Sequence, residues 1–420
     1  MYSLDWIEQL KQRRTAWGTA VPGMRLSPVV WSLGFTSLLT DISAEMVSSA
    51  LPVYLFLHLR LTAFQYGIVD GIYNGFAVVL VGLVAGMLAD RAGRHKEVAM
   101  TGYGLSGVCK LLLLAAGASW GWIAAIIGLD RLGKGIRTHP RDALISLNTP
   151  EPMYARAFAV HRALDAGGAL LGPIVAFLLL AQLPGAFDVI WITSAVFALL
   201  GVAVLWLFVP PSHRQRPAGS RPPSVRQALH LLKSRRFAAL AACGLLLAAA
   251  TVSDAFLYLL LQRKSESPPG YFPLFYVLTA CFYMLFAVPV GIVADRIGRL
   301  PVLLSGYALL GLLYVVLLFL PSADLPVQIG CLALLGLYYA GTEGVLVAMA
   351  SAIVPAGLRT SGIALLATGV GLGKMISSVT FGWIWSEYSP GAAAGAFAAA
   401  LAIALPIAAT WLHRASQETE

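Results

Sequence analysis

The chain has 420 residues, of which 58% are hydrophobic and only 12% charged, with a formal net charge of +9 and a mean hydropathy of +0.78. A soluble domain carries about 25% charged residues, so this composition excludes an ordinary soluble domain. The basic residues fall mainly in short loops between apolar stretches, and a lipid bilayer explains them without any nucleic acid.

The amino terminus, residues 1–28, is polar and basic, with Lys11, Arg13, Arg14 and Arg25. It lacks the short apolar core of a cleavable signal, so the first span is expected to direct insertion and stay in place. A helix needs about 20 apolar residues to cross a bilayer. Twelve stretches qualify, near 29–58, 64–89, 97–117, 120–143, 154–181, 187–209, 237–262, 271–293, 300–320, 326–352, 359–384 and 390–412. An open sheet would leave backbone groups unpaired in hydrocarbon, and no strand-like alternation competes. The expected fold is all-α and polytopic, with twelve transmembrane helices. Cys109, Cys243, Cys281 and Cys331 lie inside spans without paired spacing and read as small buried hydrophobes.

Loop charge sets the expected orientation. One side carries Arg91, Arg94, His95 and Lys96, then Arg296 and Arg299, then Arg359. The loops opposite are short and poor in charge, apart from Arg60, Arg263 and Lys264. Both termini are therefore expected in the cytoplasm. Residues 210–236, rich in proline and arginine, read as a basic cytoplasmic linker between bundles at 29–209 and 237–412, with 413–420 as a tail.

The two halves also share a motif. Gly86-Met-Leu-Ala-Asp90-Arg91-Ala-Gly93-Arg94 returns as Gly291-Ile-Val-Ala-Asp295-Arg296-Ile-Gly298-Arg299, identical at 6 of 9 positions and offset by 205 residues. A repeat at half the chain length means two copies of one unit. Two six-helix halves, a central loop and Gly-x-x-x-Asp-Arg-x-Gly-Arg after span two resemble the major facilitator superfamily. The resemblance implies two pseudo-symmetric six-helix bundles. It also implies that the loop residues, Gly86, Asp90, Arg91, Gly93 and Arg94 with their counterparts Gly291, Asp295, Arg296, Gly298 and Arg299, latch the halves in one orientation. In span five, Gly167, Gly168, Gly172 and Pro173 resemble an element associated with antiporters and exporters of that superfamily, and equally suit close helix packing. In span four, Arg131 with Gly135 loosely matches a further family pattern, and the run Asp130 to Asp165 resembles a poorly characterised prokaryotic branch.

Ionisable residues at bilayer depth are costly and face a cavity or a partner. Span one carries Asp41 and Glu45 on one helical face; span two carries Asp70 and Asn74, likewise four apart. Span four carries Asp130, Arg131, Lys134, Arg137, Arg141 and Asp142. Arg137 and Arg141 are expected to snorkel to the surface, leaving Arg131 and Lys134 as cavity candidates. Span five adds His161, Arg162 and Asp165. The second half offers Asp254, Glu343 and Lys374, with Tyr276, Tyr283 and Tyr339 placed to line a pocket for a moderately apolar organic molecule.

Asp41 and Glu45 repel each other in a low dielectric, so one is expected to hold a proton near neutrality. Asp41, Glu45 and Asp165 are the proton-coupling candidates, against the alternative that span four neutralises them structurally. The expectation is a secondary transporter of a small organic solute, working by alternating access between two halves. Proton-coupled efflux is the first reading, and uptake of an organic anion or zwitterion by symport the rival. No phosphate-binding loop is present. Neither is a nucleophile with its base or a Cys/His/Met cluster, which leaves catalysis, cofactors and metals without support. A membrane receptor or a membrane-embedded enzyme is the alternative of another class. The partners expected are a small-molecule substrate, protons and lipid, with no nucleic acid, for a monomer in the cell (inner) membrane.

Overall fold

Span one starts where the Ser27 hydroxyl accepts from Val29 N and Pro28 opens the helix Pro28–Val53. Proline suits a first turn because its missing N–H would be unpaired there anyway. Pro52, inside the same helix, removes one donor, and the chain widens at once into a π-helical turn, Tyr54–His58. Thr62 and Gln65 form a reciprocal capping box that starts span two at Ala63. These elements belong to a computed structural model, which describes residues 26–75, 81, 84–85, 88–89, 92–211, 230–265, 267–355 and 358–417.

Further helices follow the expected spans: His95–Ala115, Trp120–Leu147, Tyr154–Gln182 and Phe187–Phe208 in the first half. Pro273–Ile297, Arg299–Phe319, Leu325–Ile353, Arg359–Glu387 and Pro390–Gln417 follow in the second. Among the described residues, 9 helices are long and apolar enough to cross a membrane. Spans one and four fall outside that set because they carry the polar and charged residues of the interior, and span two because part of it lies outside the described residues. The linker expected at 210–236 is described only at its two ends.

Span seven departs from expectation. It is two helices, Arg235–Ala249 and Asp254–Lys264, separated by a short non-helical stretch. No proline or glycine causes the break. The tertiary structure holds it instead: Val252 N donates to the Tyr314 hydroxyl at 2.7 Å, and the Ser377 hydroxyl donates to Thr251 O.

Packing repeats with a shift of six spans. Span one lies on spans five and six, as span seven lies on eleven and twelve; span three lies on four and six, as nine lies on ten and twelve. Between halves, span two meets eleven and span eight meets five, which is the same relation exchanged. Glycine permits the closest of these approaches. A Cβ at Gly168 would lie 2.5 Å from Leu38 O, and one at Gly373 would lie 2.6 Å from Leu245 O. These glycines are 205 residues apart, the same offset as the loop motif. Gly172 meets Ile42 O at 2.7 Å in the same sense, and Pro173 sits inside the span-five helix.

Candidate functional site: a charged cavity between the halves

The halves touch at the end of the bundle away from the chain termini. There Phe64 N donates to Ser386 Oγ at 2.8 Å. A Cβ at Gly67 would fall against the Ser378 carbonyl, and one at Gly382 against the Ala63 carbonyl. Phe56 lies edge-on to Trp385, and Phe177 tilts against Tyr271. The hydrogen bonds and ring contacts named here between the halves belong to this seal or to the layer just beneath it. Below it lies a cavity of about 700 Å³.

Of the residues singled out from sequence, Asp70, Asn74, Arg131 and Lys134 line the cavity from the first half. Asp254, Tyr276, Tyr283, Tyr339, Glu343 and Lys374 line it from the second. Tyr66, Tyr73 and Ser48 are further lining residues to which hydropathy gives no pointer. Asp70 stands at the seam: it accepts from Ser378 of the other half at 2.6 Å and from Asn74 at 3.1 Å. The Tyr339 hydroxyl donates to Asp254 at 2.5 Å.

Arg131 is fixed from behind. Asp130 receives Arg131 Nη2 and Lys110 Nζ, each at 2.8 Å, and all three side chains are at most 6% exposed. The guanidinium stacks on the Tyr73 ring, 3.9 Å from its centroid. Lys110, the one lysine within the expected span 97–117, was the available pointer.

His161 and Arg162 are absent from the cavity wall. They lie about two turns from Ala169, which does line it, toward the terminus end. His161 is buried, whereas Arg162 is 73% exposed and lies 3.8 Å from Asp165.

The expected opposition of Asp41 and Glu45 is not what the structure builds. Glu45 lines the cavity and accepts from Ser48 at 2.6 Å. Asp41 turns instead toward Asp165 of span five. The Ser37 hydroxyl sits between them, 2.7 Å from Asp165 and 3.5 Å from Asp41. One helical turn separates Asp41 from Glu45, but different neighbours draw their carboxyls apart.

Arg137 and Arg141 do not snorkel either; both are buried. Arg137 lies 3.6 Å from Asp41 and over the Tyr103 ring. Arg141 bonds Asp142 at 2.9 Å and Ser37 at 3.2 Å, and lies 3.7 Å from Asp165. Acidic partners inside the bundle outweigh the pull of the surface. Cys281 also departs from expectation, being exposed while the other three cysteines are buried.

In the repeated loops, Gly93 and Gly298 have φ of 62° and 100°, a region where other residues are strained, and each turns the chain into the next span. Arg94 lies 3.9 Å from Glu97, and Arg299 donates to Ala348 O at 3.0 Å, each within its own half. Asp295 and Arg296 are exposed and Gly291 half-buried. Gly86, Asp90 and Arg91 lie outside the described residues.

The family model for the Major Facilitator Superfamily matches residues 33–280 and 268–420. An uncharacterized MFS-type transporter of Methanocaldococcus jannaschii is 31% identical over 371 residues, spanning 86% of this chain and 89% of that protein. An uncharacterized protein of Mycobacterium tuberculosis is 36% identical over 157 residues, 37% of this chain and 38% of its own. Among solved structures, the nucleoside transporter NupG superposes with a TM-score of 0.78 at 16% identity, covering 91% of this chain and 98% of its own. A bacterial homolog of the human lysosomal transporter Spinster gives 0.68 at 16% identity, covering 92% and 94%. With twelve spans packed in two matching sets around a polar cavity, and these matches across its length, the chain belongs to the major facilitator superfamily of membrane transporters.

Proposed function

We propose that the protein is a proton-coupled secondary transporter that expels a small organic solute across the cell inner membrane, with both termini cytoplasmic. The bundles are taken as residues 29–209 and 237–412, joined by a basic cytoplasmic linker. On this reading the cavity opens to the cytoplasm and the seal faces outward.

The observation that carries the coupling is the Asp41–Ser37–Asp165 arrangement. Two carboxyls within reach of each other repel when both are ionised and bond when they share one proton. Arg137 and Arg141 stand ready to pair with whichever acid is charged. Rocking of the halves opens or closes the cavity beside this pair, and the change in its hydration changes proton affinity between states. Only such differential affinity lets a proton gradient drive the change. Glu45 lines the cavity one turn away and is the route by which substrate senses the pair. The glycine-lined contact between spans one and five favours export, through the resemblance of that element to exporters.

The test is flux in proteoliposomes under an imposed proton gradient, across a panel of metabolites and antimicrobials. Wild-type protein is expected to move solute against proton flow. Asp41→Asn and Asp165→Asn are each expected to uncouple the two, leaving exchange without gradient-driven accumulation. Coupling that persists in the double variant rules out the pair.

A further inference from the structure

The ionisable groups on the cavity wall are unevenly divided, and one that governs the division is not on the wall. On the first half, Arg131 and Lys134 face the cavity with Glu45. Behind Arg131, the single carboxylate of Asp130 is shared between two cations, Lys110 and Arg131. One acid cannot neutralise both, so this buried cluster keeps one positive charge in excess, and Arg131 is the member that reaches the cavity. At the seam and on the second half, Asp70, Asp254 and Glu343 stand against one cation, Lys374. The cavity is thus positive toward span four and negative toward spans seven and ten, and its wall is low-dielectric protein where such charges act strongly.

We infer that the cavity binds a small zwitterionic molecule with an aromatic or similarly flat body, its acid group on Arg131 and Lys134 and its amine on Asp254 and Glu343. We further infer that Lys110, outside the cavity, is the positioning residue that leaves the charge of Arg131 available to that acid group. The inference rests on the cavity being the transport site. Tyrosines on both walls, among them Tyr73, Tyr276 and Tyr339, supply ring faces and edges for the body beside the charged groups. Lys110 acts by sharing Asp130. Without it, Asp130 is wholly the counter-ion of Arg131, and the positive end of the cavity is largely cancelled.

Three probes with one phenyl ring and different charge test this: phenylalanine, phenylpropionate and phenethylamine. Their binding is read as thermal shifts of the purified full chain in detergent. The expected order of affinity is phenylalanine, then phenylpropionate, then phenethylamine. Lys110→Met is expected to weaken both acid-bearing probes about tenfold, or ~1.4 kcal/mol, and to leave phenethylamine unchanged or tighter. Lys110→Arg restores wild-type binding. A merely structural role for Lys110 would weaken all three alike. Glu343→Gln, on the opposite wall, weakens the two amine-bearing probes and spares phenylpropionate.

The inference is overturned if phenethylamine matches phenylalanine, if none of the probes stabilises the protein at millimolar concentration, or if Lys110→Met lacks the charge selectivity. Should Lys110→Met fail to fold, the wild-type order and Glu343→Gln decide the outcome. Binding is read without a gradient. A protein that obeys this order yet shows no proton-driven flux therefore refutes the coupling reading alone, and proton-driven flux with the order reversed refutes only the zwitterion.

Discussion

Asp130 joins two buried cations, and its loss leaves both without their acid. Breaking a buried pair from one side costs about 3–5 kcal/mol, because the desolvated charge that remains is not compensated. Asp130→Asn is therefore expected to lower the melting temperature in detergent far more than Lys110→Met, which leaves Asp130 paired with Arg131. Equal melting temperatures for the two variants would mean that the acid is not the hub of the cluster. This hub was half legible in the sequence. Asp130 and Arg131 stand out as ionisable residues in a span, but their partner Lys110 comes from another helix. The same distance defeats the reading of Arg137 and Arg141. Snorkelling is the default for a long basic side chain near a span end, and only the fold brings Ser37 and Asp165 to Arg141.

Among the elements, span seven shows most clearly what hydropathy cannot foresee. Its composition is continuous, so its length was readable and its break was not. The break is kept by the hydroxyl of Tyr314, which takes the otherwise orphaned N–H of Val252. An unsatisfied buried donor costs about 1–3 kcal/mol, and Tyr314→Phe is expected to destabilise the protein by that amount. Thermal unfolding of purified protein measures it. A variant as stable as wild type would show that the non-helical stretch needs no such partner. Because Ser253 and Asp254 open the second helix on the cavity wall, the same variant is expected to weaken ligand binding as well. The other spans were legible because hydrocarbon enforces one solution, a run of apolar residues whose backbone bonds are internal.

At the scale of the whole molecule, the duplication was the most legible feature, since the 205-residue offset marks the loop motif in the sequence and reappears in the packing glycines. Which end of the bundle is shut was not legible, because it depends on how the halves lean together. Rocking must part Phe64 from Ser386 at the seal. Cysteines at both positions, in a protein whose native cysteines are replaced by alanine, are expected to form a disulfide under oxidation. Flux in vesicles should then stop and return on reduction. Full flux in the oxidised, cross-linked protein would show that this seal stays closed throughout the cycle.

The exposure of Cys281 has a practical side. Met284, Leu285, Val288 and Ile292 continue its stripe at helical spacing, all exposed and all apolar. That stripe turns its back on the cavity, toward acyl chains. The unmodified protein therefore carries one thiol within reach of a membrane-permeant spin label or fluorophore and three that burial shields. A probe attached there rides on span eight, and its quenching by lipid-borne agents would report how deep that helix sits as the transporter changes state.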